Sequence, residues 1–270
     1  MGKVIAVCTS DRKGLQKHDV NTAHFSAEWG IDGDAHAGSW HRQVSLLSAD
    51  KIEAFNKRGA NVIPGAFGEN LVVEGFDFRA LPVGTLLRCG DVLLEMTQIG
   101  KECHSHCEIY KKMGECIMPR EGVFARVLEP GSISVGDDMS IEKREGHFPW
   151  QAAVITLSDK AAAGARKDES GPAIAKRLRE ASYEVVEEIV IPDDERVLKQ
   201  QLIRLCDQRQ LDLILTTGGT GCSARDITPE ATLAIADKNV PGIAEAMRAE
   251  SLKITRHAMI SRAASVIRGK

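Results

Sequence analysis

Residues 216–221 read Thr-Thr-Gly-Gly-Thr-Gly. Glycines there let backbone N–H groups approach an anion closely, and Thr217 and Thr220 add hydroxyl donors. No Gly-Lys-Ser/Thr follows, so this is not a Walker loop, and Gly218, Gly219 and Gly221 do not make the GxGxxG fingerprint. Alone, such a run fits a plain turn as well as a phosphate cradle. Asp193 and Asp226 lie in nearby polar stretches, 192–195 and 223–230. Two carboxylates beside a phosphate cradle suit Mg²⁺, which binds through one or two carboxylates plus substrate phosphates. Asp193 also suits a helix N-cap, and Asp226 an N-cap or turn before Thr228-Pro229. Arg225 would hold a phosphate or stand in solvent.

A second cluster is Cys103-His-Ser-His-Cys107 with Cys116 nearby. An accessible Cys103 thiolate, its pKa lowered by Lys101, His104 or His106, could carry sulfur. Cys107 or Cys116 could resolve a persulfide or disulfide formed on it. The same ligands suit Zn or an Fe–S cluster, although the paired C-x₂-C spacing is absent. A buried, inert thiol is the plain alternative.

The elements that must position these groups divide the chain. Eleven of the twelve aromatic residues and seven of the eight histidines fall in 1–150. That shift predicts two separately built cores, with the boundary in 142–151, a charge run containing Gly and Pro. The first part carries short apolar or alternating runs at 4–9, 44–48, 70–73, 86–88, 92–97, 123–127 and 139–141, punctuated by Gly, Pro and Asp, and one helix at 49–58. It predicts a mainly β, barrel-like domain over 1–145. A linker follows at 146–151. The rest, 152–270, alternates strand and helix: strands at 153–157, 185–191 and 211–215, the last buried, with Asp193 capping the helix after the second. The acidic run 184–188 is expected on the exposed part of an edge strand. Alternation of this kind predicts an open α/β sandwich with a mostly parallel sheet. Ligands of such sheets bind outside the C-terminal strand ends, where 156–159, 192–195 and 216–230 would converge.

Composition sets the class. The chain has 270 residues, 43% apolar and 27% charged, with a net charge of −3. It reads as soluble, with no basic field for nucleic acid and no run long enough to span a membrane. Seven cysteines, an odd number spread along the chain, are no disulfide framework and fit a cytoplasmic protein. Cys8, Cys89 and Cys206 read as small core residues. Trp29 and Trp40 read as core or lid packing rather than a stacking platform for a ligand ring.

The order of the motifs 155–159, 168–171, 191–194, 216–221, 225–231 and 261–262 resembles the molybdopterin-binding family, and within it the molybdopterin adenylyltransferases. The resemblance implies coupling of molybdopterin to ATP with Mg²⁺. It makes Asp193 and Asp226 catalytic, metal-handling carboxylates. It makes Thr156, Ser158, Asp159, Ser170, Gly171, Thr217, Gly218, Gly219, Thr220, Gly221, Arg225, Thr228, Pro229 and Glu230 a substrate-binding set. It also implies a homo-oligomer, a trimer in relatives, with molybdenum-insertion and molybdoenzyme partners. Family members continue with a further strand and helix, so this domain is expected to lack its last strand and helix. Motifs at 30–38, 42–47, 68–71, 100–103 and 136–137 resemble the MOSC domain, named for molybdenum cofactor sulfurases. That resemblance implies sulfur carriage on Cys103 or binding of the molybdenum cofactor and its metal ion, with Arg42, His36 or Lys101 meeting cofactor phosphate. Pyridoxal phosphate is not expected. Two further readings stay open. One is a non-catalytic protein that binds and delivers molybdopterin or finished cofactor. The other is a metal-dependent redox or regulatory module in the first domain.

Overall fold

The computed structural model describes residues 1–101, 103, 107–144 and 148–269. The chain divides into two compact units, Met1–Gly146 and His147–Lys270. Among the described residues no helix is long and apolar enough to cross a membrane.

The first unit is built on seven strands: β1 (Gly2–Thr9), β2 (Val44–Ser48), β3 (Leu71–Glu74), β4 (Leu86–Cys89), β5 (Val92–Ile99), β6 (Val123–Glu129) and β7 (Asp138–Glu142). Their order is β7-β4-β5-β6-β2-β3-β1, and pairing of β1 with β7 closes the ring into a barrel. Neighbours run antiparallel except β2 and β3, which are parallel. Successive side chains of a strand point to opposite faces. Leu46, Leu71 and Val73 therefore fill the barrel with Leu94 and Met96. Leu47 and Val72 point outward instead, against helix α1 (Ala49–Lys57) and its Ile52 and Phe55. Both faces of these strands are dry, which is why they read as continuous apolar runs. A smaller sheet of Thr22–Ser26, Gly30–Ile31 and Gly131–Ser134 also belongs to this unit, and the sequence reading missed it.

The loop that carries Asp34 is held by a buried polar network. Lys17 donates to Asp34, both side chains being shielded from solvent. Asn70 Nδ2 donates to Asp34 Oδ2 at 2.5 Å and to the Cys8 carbonyl at 2.9 Å, while its Oδ1 accepts from the Ser45 amide at 3.0 Å. Glu69 is fully buried and accepts from the Gly65 and Phe67 amides at 2.8 and 3.0 Å. Gly65 has no alternative at its position: its φ is +88°, and a Cβ there would sit 2.2 Å from the Lys17 carbonyl. Trp29 and Trp40 take no part in the core; they are 50% and 39% exposed. Of the expected core or lid packing, the core half is not found, since both indoles stand at the surface.

The second unit has a three-stranded parallel sheet: β8 (Gln151–Leu157) lies between β9 (Glu184–Ile191) and β10 (Leu213–Thr217). Gln151, expected in the linker, is the first residue of β8. The other helices that matter here are α2 (Ser170–Glu180), α3 (Glu195–Ile203), α4 (Thr228–Ala234) and α5 (Pro241–Leu252). Ala152 and Val154 pack against Ala175 and Leu178 of α2. Ala153, Ile155 and Leu157 pack on the opposite face against Leu198 and Leu202 of α3 and Ala231 of α4. The chain moves from β8 to β9 on one side, then back across β8 to β10. Right-handed crossovers then require helices on opposite faces, as found.

Three expectations are corrected. Asp194, not Asp193, caps α3: it is extended and its side chain accepts from the Val197 amide at 2.9 Å. The strand expected at 211–215 begins at Leu213 and is half-buried, because β10 pairs on one side only. The acidic strand is not simply exposed: Glu187 is half-buried and paired with Arg204 and Arg209 at 2.6 and 2.7 Å. Cys8 and Cys89 are buried and Cys206 half-buried, and burial pushes the Cys8 and Cys89 thiols up to about 12.

Removing one partner of a buried ion pair leaves an uncompensated charge, so Lys17→Met is expected to cost about 3–5 kcal/mol, read as a lowered denaturation midpoint of the first unit. Burial alone would raise the Asp34 carboxyl, but hydrogen bonds from His36, Lys17 and Asn70 win and hold it below its ordinary 3.8. Its contribution is therefore present above that value and lost as pH falls further, so the wild-type midpoint should stay level on this account between about pH 5 and 7.

Candidate functional site

The crevice of an open α/β sheet forms where neighbouring strands send their loops to opposite faces. Here those strands are β8, leading to α2 on one face, and β10, leading to α4 on the other. Their ends are level: Thr156 pairs with Thr217, and Leu157 with Ile191 of β9. Ser158-Asp159, Pro192-Asp193 and Gly218–Gly221 therefore leave the sheet side by side.

The glycine-rich loop is shaped by what it touches. Gly218 and Gly219 have φ of +97° and +64°. A Cβ on Gly218 would stand 2.3 Å from the Leu157 carbonyl oxygen, and one on Gly219 2.5 Å from Thr228 Oγ1. Thr228 pins the loop to α4: its Oγ1 donates to the Gly218 carbonyl at 2.9 Å and its N–H to the Gly219 carbonyl at 3.0 Å. Thr228 and Pro229 are buried beneath it.

Asp193 and Asp159 bond each other's backbone. The Asp159 amide donates to Asp193 Oδ2 at 3.1 Å, and the Asp193 amide to Asp159 Oδ1 at 3.0 Å. Arg225 closes the group by pairing with Asp159. Asp193 Oδ1 lies 3.7 Å from the position a Gly219 Cβ would take, so the second and third loops meet at this carboxylate. Asp226 sits across the same loop, 2.9 Å from the corresponding position on Gly221. It accepts from the Ser223 amide at 2.8 Å. Bonds from the Ser223 hydroxyl and amide hold its carboxyl below the usual range, and Gly221 and Arg262 add to this. Glu230 is likewise held low by its own amide and by Arg262. Asp226, Glu230 and Arg262 line a cleft of about 450 Å³ with Cys222–Ala224 and Ile227.

The remaining expected residues flank this group. Thr156 Oγ1 donates to Asp168 at 2.7 Å. The other oxygen of Asp168 accepts from Ser170 and from the Gly171 amide at 3.1 Å. Burial would raise this carboxyl, but the Thr156 hydroxyl and the helix-start amides win and lower it. Ser158 accepts from the Ala161 amide and from Arg166 at 3.1 Å. The sequence reading assigned no role to Asp168, Arg166 or Arg262. Asp168 stands two residues before a Ser-Gly-Pro helix start, a signal that could have found it. Arg262 stands in the Ser-Arg pair 261–262 that carries part of the family resemblance, but nothing local marks its partners, which lie 32 to 42 positions upstream.

Cys103 and Cys107 are exposed in the first unit, and desolvation pushes the half-buried Cys116 thiol up to about 11. His104 and His106, invoked beside Cys103, lie outside the described residues. Among the described residues no three of His, Cys, Asp and Glu gather as a metal cage. Arg42 is stacked 4.7 Å over the exposed Trp40 ring, and Trp40 Nε1 donates to the His36 carbonyl at 3.0 Å. His41 Nε2 lies 3.0 Å from Gln98 Oε1, on the strand that runs toward Lys101 and Cys103.

Comparison with known proteins bears on both units. Residues 153–270 match the family described as a probable molybdopterin binding domain, and residues 33–140 match the MOSC domain. Molybdopterin adenylyltransferase of Helicobacter pylori J99 is 42% identical over 119 residues, 43% of this chain and 68% of that protein. The chain therefore belongs to the molybdopterin-binding family, with a MOSC domain ahead. The Haemophilus influenzae and Escherichia coli K12 molybdopterin adenylyltransferases are each 42% identical over 43% of the chain, which spans only 59% and 60% of their lengths. Among solved structures, the molybdopterin biosynthesis enzyme MoaB of Thermus thermophilus matches at 41% identity and a TM-score of 0.43, over 44% of this chain and 76% of that one.

Gly218→Ala is expected to cost about 1–3 kcal/mol, because a side chain at that φ must also displace the Leu157 carbonyl. Gly242→Ala, in α5 with open space around it, should instead gain about 0.5–1 kcal/mol. Denaturation midpoints of the second unit, compared for the two variants, check both signs.

Proposed function

We propose that the second unit adenylylates molybdopterin with Mg·ATP, and that the first unit binds molybdenum cofactor or carries its sulfur. The observation that carries the first half is the placement of Asp193, which Asp159 bonds, beside Gly219 and of Asp226 beside Gly221, on the loop that leaves the level ends of three parallel strands. Family membership supplies the substrate class.

The donor set fits the metal. Asp193 and Asp226 offer hard carboxylate oxygens, and Mg²⁺ takes one or two of these with substrate phosphates. Bound there, the ion would offset the negative charge of the phosphates. In the reaction a terminal phosphate oxygen of molybdopterin forms a bond to the α-phosphorus of ATP. The α–β bridging P–O bond breaks, and pyrophosphate leaves with that electron pair. Two anions must meet, so this chain's task is positioning and charge stabilisation rather than covalent chemistry. The glycine-rich loop would present amide and threonine hydroxyl donors to phosphate. Arg225, anchored on Asp159, would set the approach of a second phosphate. Thr156, Ser158, Ser170, Gly171, Pro229 and Glu230 would shape the walls. In the first unit, exposed Cys103 would be the sulfur-carrying thiol, with Arg42, His36 and Lys101 as phosphate partners of the cofactor.

Asp193→Asn and Asp226→Asn should each lower pyrophosphate release from molybdopterin and ATP by about 10²-fold or more, with both variants folded. A wild-type chain that binds molybdopterin but releases no pyrophosphate would instead be a carrier that delivers it.

Sulfur carriage is tested separately. With a persulfide donor, the intact mass should rise by about 32 Da, one sulfur atom, and Cys103→Ala should abolish the gain. No gain in the wild-type chain rejects this role.

A further inference from the structure

Arg262 gathers more of the site than any residue singled out above. Its Nε donates to the Gly221 carbonyl at 2.7 Å and its Nη2 to the Asp226 carbonyl at 2.6 Å. Its own amide donates to the Thr220 carbonyl at 3.1 Å, and Nη1 pairs with Glu230. One planar group thus joins the end of the glycine-rich loop, the backbone of Asp226 and the first turn of α4. The backbone around Arg262 is itself held by α5, since Arg248 donates to the Ala263 carbonyl at 3.0 Å and reaches the Ser261 carbonyl at 3.5 Å.

The consequence follows from peptide geometry. In a trans peptide the C=O and the next N–H point in opposite directions. With the Thr220 carbonyl turned to Arg262, the Gly221 N–H points away from it, toward the Asp226 carboxylate that accepts it. The carboxylate is then fixed from two sides. Gly221 and Ser223 amides hold its oxygens, and Arg262 holds its own carbonyl. The carboxylate keeps lone pairs beyond those the amides use, so it can still face a cation. A lysine cannot reproduce this, because an ammonium lacks the rigid fork that reaches two carbonyls and a carboxylate at once.

We propose that Arg262 is the positioning residue of this site: its side chain ties the Gly221 and Asp226 carbonyls to Glu230 and so aims the Asp226 carboxylate at a nucleotide-bound divalent cation. This rests on the Mg·ATP reading given above.

The test uses the full chain with Mn²⁺ plus ATP as the probe, bound Mn²⁺ being read by electron paramagnetic resonance. Amide hydrogen exchange over 218–226 is measured on metal-free protein. Arg262→Ala and Arg262→Lys should each weaken Mn·ATP binding by about 10–100-fold, the scale of losses when a ligand's outer support is removed. Exchange over 218–226 should quicken while the melting temperature of the first unit holds. If Arg262→Ala does not fold, Arg262→Lys decides. Folded variants that bind Mn·ATP as the wild type does overturn the inference, whether or not the wild type releases pyrophosphate. A wild-type chain that binds no Mn·ATP overturns both this inference and the reading beneath it.

Discussion

The reversal of strand order at β8 is the constraint on which the second unit depends. A central strand with parallel neighbours on both sides must send one connection over each face. The loops then part at the strand ends and leave a crevice between them. Everything chemical in this unit sits at that parting. Gly218 lies against the last residue of β8, Asp193 against the loop that follows it, and Asp226 against the far end of the glycine-rich run. A side chain at Gly218 would wedge the crevice from below, so the lack of one is a packing requirement before it is a binding one.

The electrostatics follow from how the carboxylates are held. Asp159, Asp168, Asp193 and Asp226 all accept backbone amides within or beside their own loops. For Asp168 and Asp226 such donors favour the charged form without neutralising it. Arginines enter at the edges, Arg225 on Asp159 and Arg262 on Glu230 and backbone carbonyls. The crevice therefore keeps anionic oxygens and amide donors close together, the mixture that a polyphosphate with its divalent cation matches at both ends. Asp193 and Asp194 show the same economy of means on neighbouring residues. Asp194 spends its side chain on the α3 cap, which frees Asp193 to face the glycine-rich loop.

How much of this could be read beforehand depends on the range over which each signal acts. The strand ends and the helix-opening prolines are local, and β8, β9, α2 and α4 lie within a few residues of where periodicity and turn chemistry put them. The polar segments at 156–159, 192–194 and 216–230 do share one end of the sheet. The cap was misplaced by one residue because two adjacent aspartates satisfy the same rule, and only backbone dihedrals separate them. Glu187 read as exposed because a charged residue on an alternating strand gives no sign of Arg204 and Arg209 beneath it. Arg262 lies in a motif of the family resemblance, yet its role in the site was not legible, for a related reason. It works on the backbone of residues far upstream, and a backbone carbonyl leaves no trace in a sequence.

Burial sorts the charged residues of the two units in a way that residue type alone does not. In the first unit Lys17, Asp34 and Glu69 carry as much potential chemistry as any residues of the second, yet they are sealed and bonded to one another or to amides. Desolvation presses the Lys17 ammonium and the Glu69 carboxyl toward their neutral forms, while the bonds to Asp34 keep that carboxylate charged. Such groups are too deep to reach a ligand, and their use is to hold the Asp34 loop to the barrel. In the second unit the same residue types stay half-exposed, because short strands and tight loops cannot cover them. The difference lies in the cover, not in the side chains. A barrel that seals its polar groups converts charge into rigidity, whereas a sheet that ends in a crevice leaves charge available for chemistry.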